Sequence, residues 1–321
     1  MTESTILFVY QGEWGLPSID FDCLRALCAV KFTRAPIAIN TKGNPFRSGD
    51  GRLPYIQAYK RKIVGYEQII SYLQEQGYTV NDQLPRNVSN LAEAYESLVF
   101  NDLHPYFQYF MFGSPDNIDQ SRKLYANRTP FPLNFYYPAK YMKHADEVMQ
   151  VFGGFSVHEK IEDHSTEMII INAKKCVNLL SSKLGKNKYF FGQHYSSLDI
   201  LVYAYLAILY NITLPNNPLQ VHLQECPNLV KFIDRITKQH FAAEAYSSKD
   251  AKQKVDGNST ATLTPSEQEF AKTKRKTQIL ATLFAVVAMT AYATWMGIVK
   301  INADSYYDDL GYRDDDDGDE G

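Results

Sequence analysis

Few of the chemistry-bearing side chains of this 321-residue chain stand at a spacing that a reaction requires. Its seven histidines (His104, His144, His158, His164, His194, His222 and His240) include no H-E-x-x-H motif and no pair four apart. That spacing is what places two imidazoles on one helix face against a metal. The four cysteines, Cys23, Cys28, Cys176 and Cys226, contain no C-x-x-C and are too scattered for a disulfide framework. They read as reduced thiols, several of them core fillers. Gly49-Asp50-Gly51-Arg52 is too short for a phosphate loop and lacks the Lys-Ser/Thr that would follow one. Lys60-Arg61-Lys62 reads as a solvated turn rather than a nucleic-acid patch. One residue invites more thought. Tyr10 closes the apolar run Ile6-Leu7-Phe8-Val9-Tyr10, and a phenol there could hydrogen-bond to a thiol and stabilise its thiolate. The simpler reading is the last aromatic of a buried strand. The expectation is a chain with no catalytic residues, cofactor, metal or nucleic acid.

The elements that position these residues can be read in order. Ile6–Tyr10 is a short apolar run bounded by Gly12 and Gly15, the pattern of a buried strand. Pro17 opens a helical pattern in which Ile19, Cys23, Ala26, Leu27 and Val30 recur at spacings of three and four. Ile37–Ile39 predicts a second strand. After a loop rich in Gly, Asn, Pro and Ser, Leu53–Ile56 and Lys62–Val64 predict a hairpin, and Tyr66–Gln76 a helix. This order over some 77 residues is the thioredoxin-like arrangement, in which Pro54, just before the third strand, takes the place of a cis proline.

From about Asn87 the pattern turns helical, with helices predicted from near Ser89 (carrying Leu91, Tyr95, Leu98, Leu103 and Phe107), over Tyr141–Phe152, Ser165–Leu184, Leu198–Tyr210 and Asn228–Gln239. Within Phe190-Phe191-Gly192-Gln193-His194-Tyr195-Ser196-Ser197-Leu198-Asp199, Ser196 as N-cap and Asp199 three residues on form a capping box. The helix that follows is apolar on all sides and belongs in the middle of a helical domain. Ser196 and Asp199 are therefore structural residues, such a cap being worth ~1 kcal/mol. The aromatic stretch Tyr106, Phe107, Tyr109, Phe110 and Phe112 reads mostly as core, and Pro130–Tyr137 as either an internal packing element or a partner-facing loop.

The net charge of -3 hides an asymmetry. Residues 301–321 carry nine acids against one base, Arg313, leaving about +5 on the rest. Just before them, residues 278–299 run without a charge, from Gln278 through Leu280, Phe284, Tyr292 and Trp295 to Val299. A helix of that length spans roughly 33 Å, enough for a hydrocarbon core of about 30 Å. Tyr292 and Trp295 stand near one end, where amphipathic rings favour the headgroup layer. Lys272, Lys274, Arg275 and Lys276 precede the span, so the positive-inside preference places the preceding residues on the cytosolic side. No basic leader precedes Ile6, and insertion through the C-terminal segment follows as the expectation. The polar stretch 247–277 reads as a flexible tether. The expected organisation is thus a thioredoxin-like domain at 1–80, a helical domain at 86–246, a linker at 247–277, a transmembrane helix at 278–299 and an acidic tail at 300–321.

A thioredoxin-like unit followed by a helical domain with an aromatic-Gly-x-x-x-Ser-x-x-Asp box resembles the glutathione S-transferase architecture. Trp14-Gly15-Leu16-Pro17-Ser18, Pro130-Phe131-Pro132-Leu133-Asn134-Phe135 and Leu219-Gln220-Val221-His222-Leu223 resemble, more narrowly, the metaxins, and the likeness extends through the C-terminal span. Transferases hold glutathione with an acid-Ser pair ahead of an x-x-I-x-x-Tyr-Leu run. Here Gly65 and Tyr66 stand in those two places before Glu67-Gln68-Ile69-Ile70-Ser71-Tyr72-Leu73, so the carboxylate for the ligand's ammonium is absent. The metaxin resemblance implies a non-enzymatic mitochondrial outer-membrane protein facing the cytosol. It also implies work with a soluble metaxin partner and the outer-membrane β-barrel sorting and assembly complex. The alternatives are an adaptor linking mitochondria to motor-adaptor proteins, or a residual glutathione-dependent transferase using Tyr10.

Overall fold

The computed structural model describes residues 5–81, 84–131, 133–156, 163–242 and position 283. The expected linker, acidic tail and transmembrane span therefore lie outside the described residues, apart from Leu283. Among the described residues no helix is long and apolar enough to cross a membrane.

Four short strands make the sheet: β1 (Ile6–Phe8), β2 (Ala38–Asn40), β3 (Tyr55–Ala58) and β4 (Arg61–Val64), in the order β2-β1-β3-β4. β1 runs parallel to β2 and antiparallel to β3, so Leu7 sits between Ile39 and Ile56 at the centre. β3 and β4 pair as an antiparallel hairpin closed by Ala58 and Arg61. The parallel step from β1 to β2 requires a crossover, and α1 (Phe21–Thr33) supplies it. This helix starts at Asp20, whose carboxylate accepts from the Cys23 amide at 3.0 Å. It therefore begins later than the expected opening at Pro17. The chain from Trp14 to Leu16 turns first, with Trp14 and Gly15 at φ 56° and 79°. The bond before Pro54 is cis, and Pro54 then leads into β3. α2 (Tyr66–Glu75) closes the unit.

Eight helices follow among the described residues: α3 (Arg86–Asp102), α4 (His104–Gln108), α5 (Ile118–Ala126), α6 (Leu133–Phe152), α7 (Asp163–Leu184), α8 (Ser197–Asn211), α9 (Pro218–Gln224) and α10 (Pro227–His240). The helix expected to run from Ser89 to Phe107 is broken at Leu103, because Pro105 cannot extend it, and the chain restarts as α4 and a π-helical turn, Tyr109–Gly113. Its core stripe is also displaced: Leu91 is exposed while the neighbouring Ala92 is buried. α6 is longer than expected at its start. Pro138 lies inside the helix, and burial of Tyr137 and Pro138 outweighs the lost amide donor.

α8 lies at the centre of the folded unit. Leu198 through Leu209 are buried without interruption, which only a helix surrounded on all sides allows. α1 packs on one side of it, where Phe21 stacks on Tyr205 at 3.9 Å between ring centroids. α3, α9 and α10 cover the others. The sheet unit and the helical part thus share one hydrophobic core within a single compact unit. All four cysteines are buried and free in that core.

Candidate functional site

Tyr10 follows β1 and is only 1 % exposed. Its hydroxyl shares a 2.8 Å hydrogen bond with the hydroxyl of Tyr141 on α6, and its ring meets Tyr125 of α5 edge-on at 5.3 Å. Phe112 packs against both Tyr125 and Tyr141. Burial holds the phenols of Tyr10, Tyr125 and Tyr141 well above the ordinary tyrosine range. The Tyr125 hydroxyl in turn points at the Asp20 carboxylate, 3.4 Å away. Tyr10 therefore ends in a seam of aromatic rings from three helices, with its polar atom already bonded. Cys23, at the start of α1, is buried too, and burial raises its thiol well above the ordinary value, which disfavours a nucleophilic thiolate. Cys176 is pushed up to about 12 by burial.

At the start of α2, Gly65 adopts φ 89° and donates its amide to the Pro54 carbonyl at 2.9 Å. That conformation suits glycine, which pays no Cβ penalty there. Tyr66 turns inward and is buried, with the Arg25 guanidinium 3.5 Å from its ring centroid. Arg25 also pairs with Asp22 at 3.2 Å and with Glu67 at 3.1 Å. Glu67 is exposed and also ion-paired with α1. The two positions that would hold a ligand's amino-acid end thus carry a bare backbone turn and a ring covered by a cation.

The capping box is present in full. Ser196 Oγ accepts from the Asp199 amide, and Asp199 accepts from the Ser196 amide at 2.8 Å and from Ser196 Oγ at 2.6 Å. Asp199 also accepts the Phe190 amide at 3.0 Å, tying the preceding turn to α8. Burial pushes its carboxyl up to about 6, the hydrogen bonds opposing the shift.

Other polar links had no sequence signal, since they join residues far apart in the chain. Asn81 accepts from the Ser197 amide and donates to its hydroxyl, both at 2.9 Å, fastening the end of the sheet unit to the start of α8. Arg128, after α5, bonds the Gln11 carbonyl at 3.0 Å and Glu13 at 2.6 Å, clamping the loop beyond β1. Of the aromatic stretch, Tyr106, Phe107, Phe110 and Phe112 are buried. Around Pro130–Tyr137, Pro132 lies outside the described residues. Phe135 and Tyr136 are exposed, while Tyr137 is buried and lies close over Gly51. The segment is surface at two positions and packing at a third.

A β-α-β-β-β-α sheet unit sharing its core with a helical bundle, centred on a capped and fully buried helix, defines a glutathione S-transferase-like protein. The β-etherase LigF from Sphingobium has the same fold, with a TM-score of 0.50 at 13% identity over 77% of this chain and 99% of that one. Residues 173–236 match the glutathione S-transferase C-terminal domain, and residues 23–142 the family described as outer mitochondrial membrane transport complex protein. Over 319 residues, 98% of this chain and 97% of its relative, the sequence is 48% identical to the Metaxin-1 homolog of Drosophila melanogaster. It is 33% identical to Metaxin-1 of Mus musculus, across 93% of this chain and 92% of the mouse protein. The chain belongs to the metaxin family.

Proposed function

We propose that this chain is a non-enzymatic scaffold of the mitochondrial outer membrane that serves protein import and the sorting of β-barrel proteins. In this reading residues 278–299 anchor it, residues before them face the cytosol, and it works with a soluble metaxin partner and the β-barrel assembly complex. The observation that carries the proposal is the sealed seam at Tyr10. The hydroxyl that a transferase would turn to a thiol is bonded to Tyr141 and closed off from solvent. Gly65 and Tyr66 offer no carboxylate at the other end of the ligand. What remains of the old fold is its surface. The family description, a transport complex of the outer mitochondrial membrane, supports the location and the class of work.

The test is a mild-detergent pull-down from mitochondria of the intact protein beside a version lacking residues 278–321. Recovery of β-barrel assembly factors with the intact form, weakened without the span, is the expected result. Motor-linker proteins alone would favour the adaptor reading instead. Retention on immobilised glutathione, lost in Tyr10→Phe, would overturn the non-enzymatic reading.

A further inference from the structure

Two exposed aromatic rings lie on neighbouring segments of the sheet unit, each beside exposed cations. Pro45–Ser48 forms a single 3-10 turn, fixed by the Asn44 side chain accepting the Phe46 amide at 3.0 Å. Phe46 is 67 % exposed there, with Arg47 beside it. The β3–β4 hairpin turns at Tyr59 and Lys60, and Tyr59 is also 67 % exposed, at a left-handed φ of 52°. β4 is tied to the 3-10 turn: Lys62 Nζ donates to the Arg47 carbonyl at 2.5 Å. Arg47, Arg52, Lys60, Arg61 and Lys62 all face solvent at this tip. Arg52 pairs with Asp50, and Arg61 reaches Glu75 only at 3.8 Å. Among the described residues, Arg47, Lys60 and Lys62 have no acidic partner.

β4 is an edge strand, and lysines on an edge protect against pairing with other chains. That explains Lys62. It does not explain Phe46 and Tyr59, since exposed rings beside an open edge work against such protection. Aromatic rings held out among unpaired cations are the composition that settles into a bilayer interface, rings at the headgroup level and cations on anionic lipid.

We propose that this tip, Phe46 with Tyr59 ringed by Arg47, Lys60, Arg61 and Lys62, docks on the anionic phospholipid surface of the membrane that holds the chain. The inference rests on the anchoring proposed above. A second, electrostatic contact sets which face of the folded unit is presented away from the membrane.

The experiment uses the full chain carrying Asp50→Cys, an exposed position beside the tip and outside the proposed contact residues, labelled with a fluorophore, which the four buried native cysteines leave as the reactive thiol. It is reconstituted in vesicles of phosphatidylcholine alone or with roughly a third phosphatidylserine, each doped with a headgroup quencher. Resistance to carbonate extraction reports anchoring separately from tip contact. Strong quenching is expected only in the anionic vesicles, reversed by about 0.5 M salt. Adding Arg47→Gln, Lys60→Gln and Lys62→Gln should weaken tip association on the order of tenfold or more, with the urea midpoint unchanged. Equal quenching in both vesicles with the anchor intact would overturn the docking alone, as would a purified partner protein that shields the label without lipid. Release by carbonate would overturn the anchoring and the docking together.

Discussion

At Tyr10 and Tyr141 two hydroxyls satisfy each other at 2.8 Å in a buried seam. Removing either one leaves the other without its partner, so Tyr10→Phe and Tyr141→Phe should each cost about 1 kcal/mol. The double variant should cost less than their sum, by a coupling of about 0.5–1 kcal/mol in urea denaturation, and strict additivity would argue against the bond. Asp199 makes a sharper prediction. Its carboxyl rises from 3.8 unfolded to about 6 in the fold, so the folded chain holds that proton more tightly than the unfolded one. Its contribution is therefore greatest below about pH 4, declines as the pH rises to about 6, and is constant above. The stability advantage over Asp199→Asn should shrink by up to roughly 3 kcal/mol across that window, measured as urea midpoints at pH 4, 5, 6 and 7. A flat difference would mean that Asp199 titrates alike in both states.

At the scale of elements, close backbone approach decides one case. A Cβ on Gly12 would lie 1.9 Å from the Leu16 carbonyl oxygen, so the loop after β1 has no room for even alanine. Gly12→Ala should lower stability by at least ~2 kcal/mol, seen as a drop in thermal midpoint; an unchanged midpoint would show that the loop can open freely. α8 tolerates no truncation either. Leu206→Ala, at a fully buried position, should cost about 2–5 kcal/mol. Much of this architecture was legible beforehand where local chemistry is strong: the apolar run of β1, the Ser196 box ahead of α8, and α2, α7 and α10 within a residue or two. What the sequence hid has physical reasons. α4 and the π-helical turn pack aromatic residues on several sides, so no stripe marks them. Pro138 masked the first turns of α6, and α9 is short and was visible only as part of a family motif. At the candidate site, the Gly65–Tyr66 substitution could be read directly. The partner of Tyr10 could not, because Tyr141 lies 131 residues away and only packing brings it there.

For the whole molecule, the proposed anchor carries the prediction. Deleting residues 278–321 should move the protein from the carbonate-resistant pellet to the supernatant, while its urea unfolding keeps the same single midpoint, since the shared core lies in residues before the deletion. Retention in the pellet would place the membrane attachment elsewhere. The position of α8 has a further consequence, in the time order of synthesis. α1 is fully synthesised by residue 33, but the helix it packs against begins only at Ser197. At about 5–20 residues per second, the face of α1 carrying Phe21 waits roughly 9–37 s for Tyr205 to follow. During that interval α2 can already cover part of α1, but its Phe21 side has no partner from α8, an exposed apolar face that holding chaperones can bind.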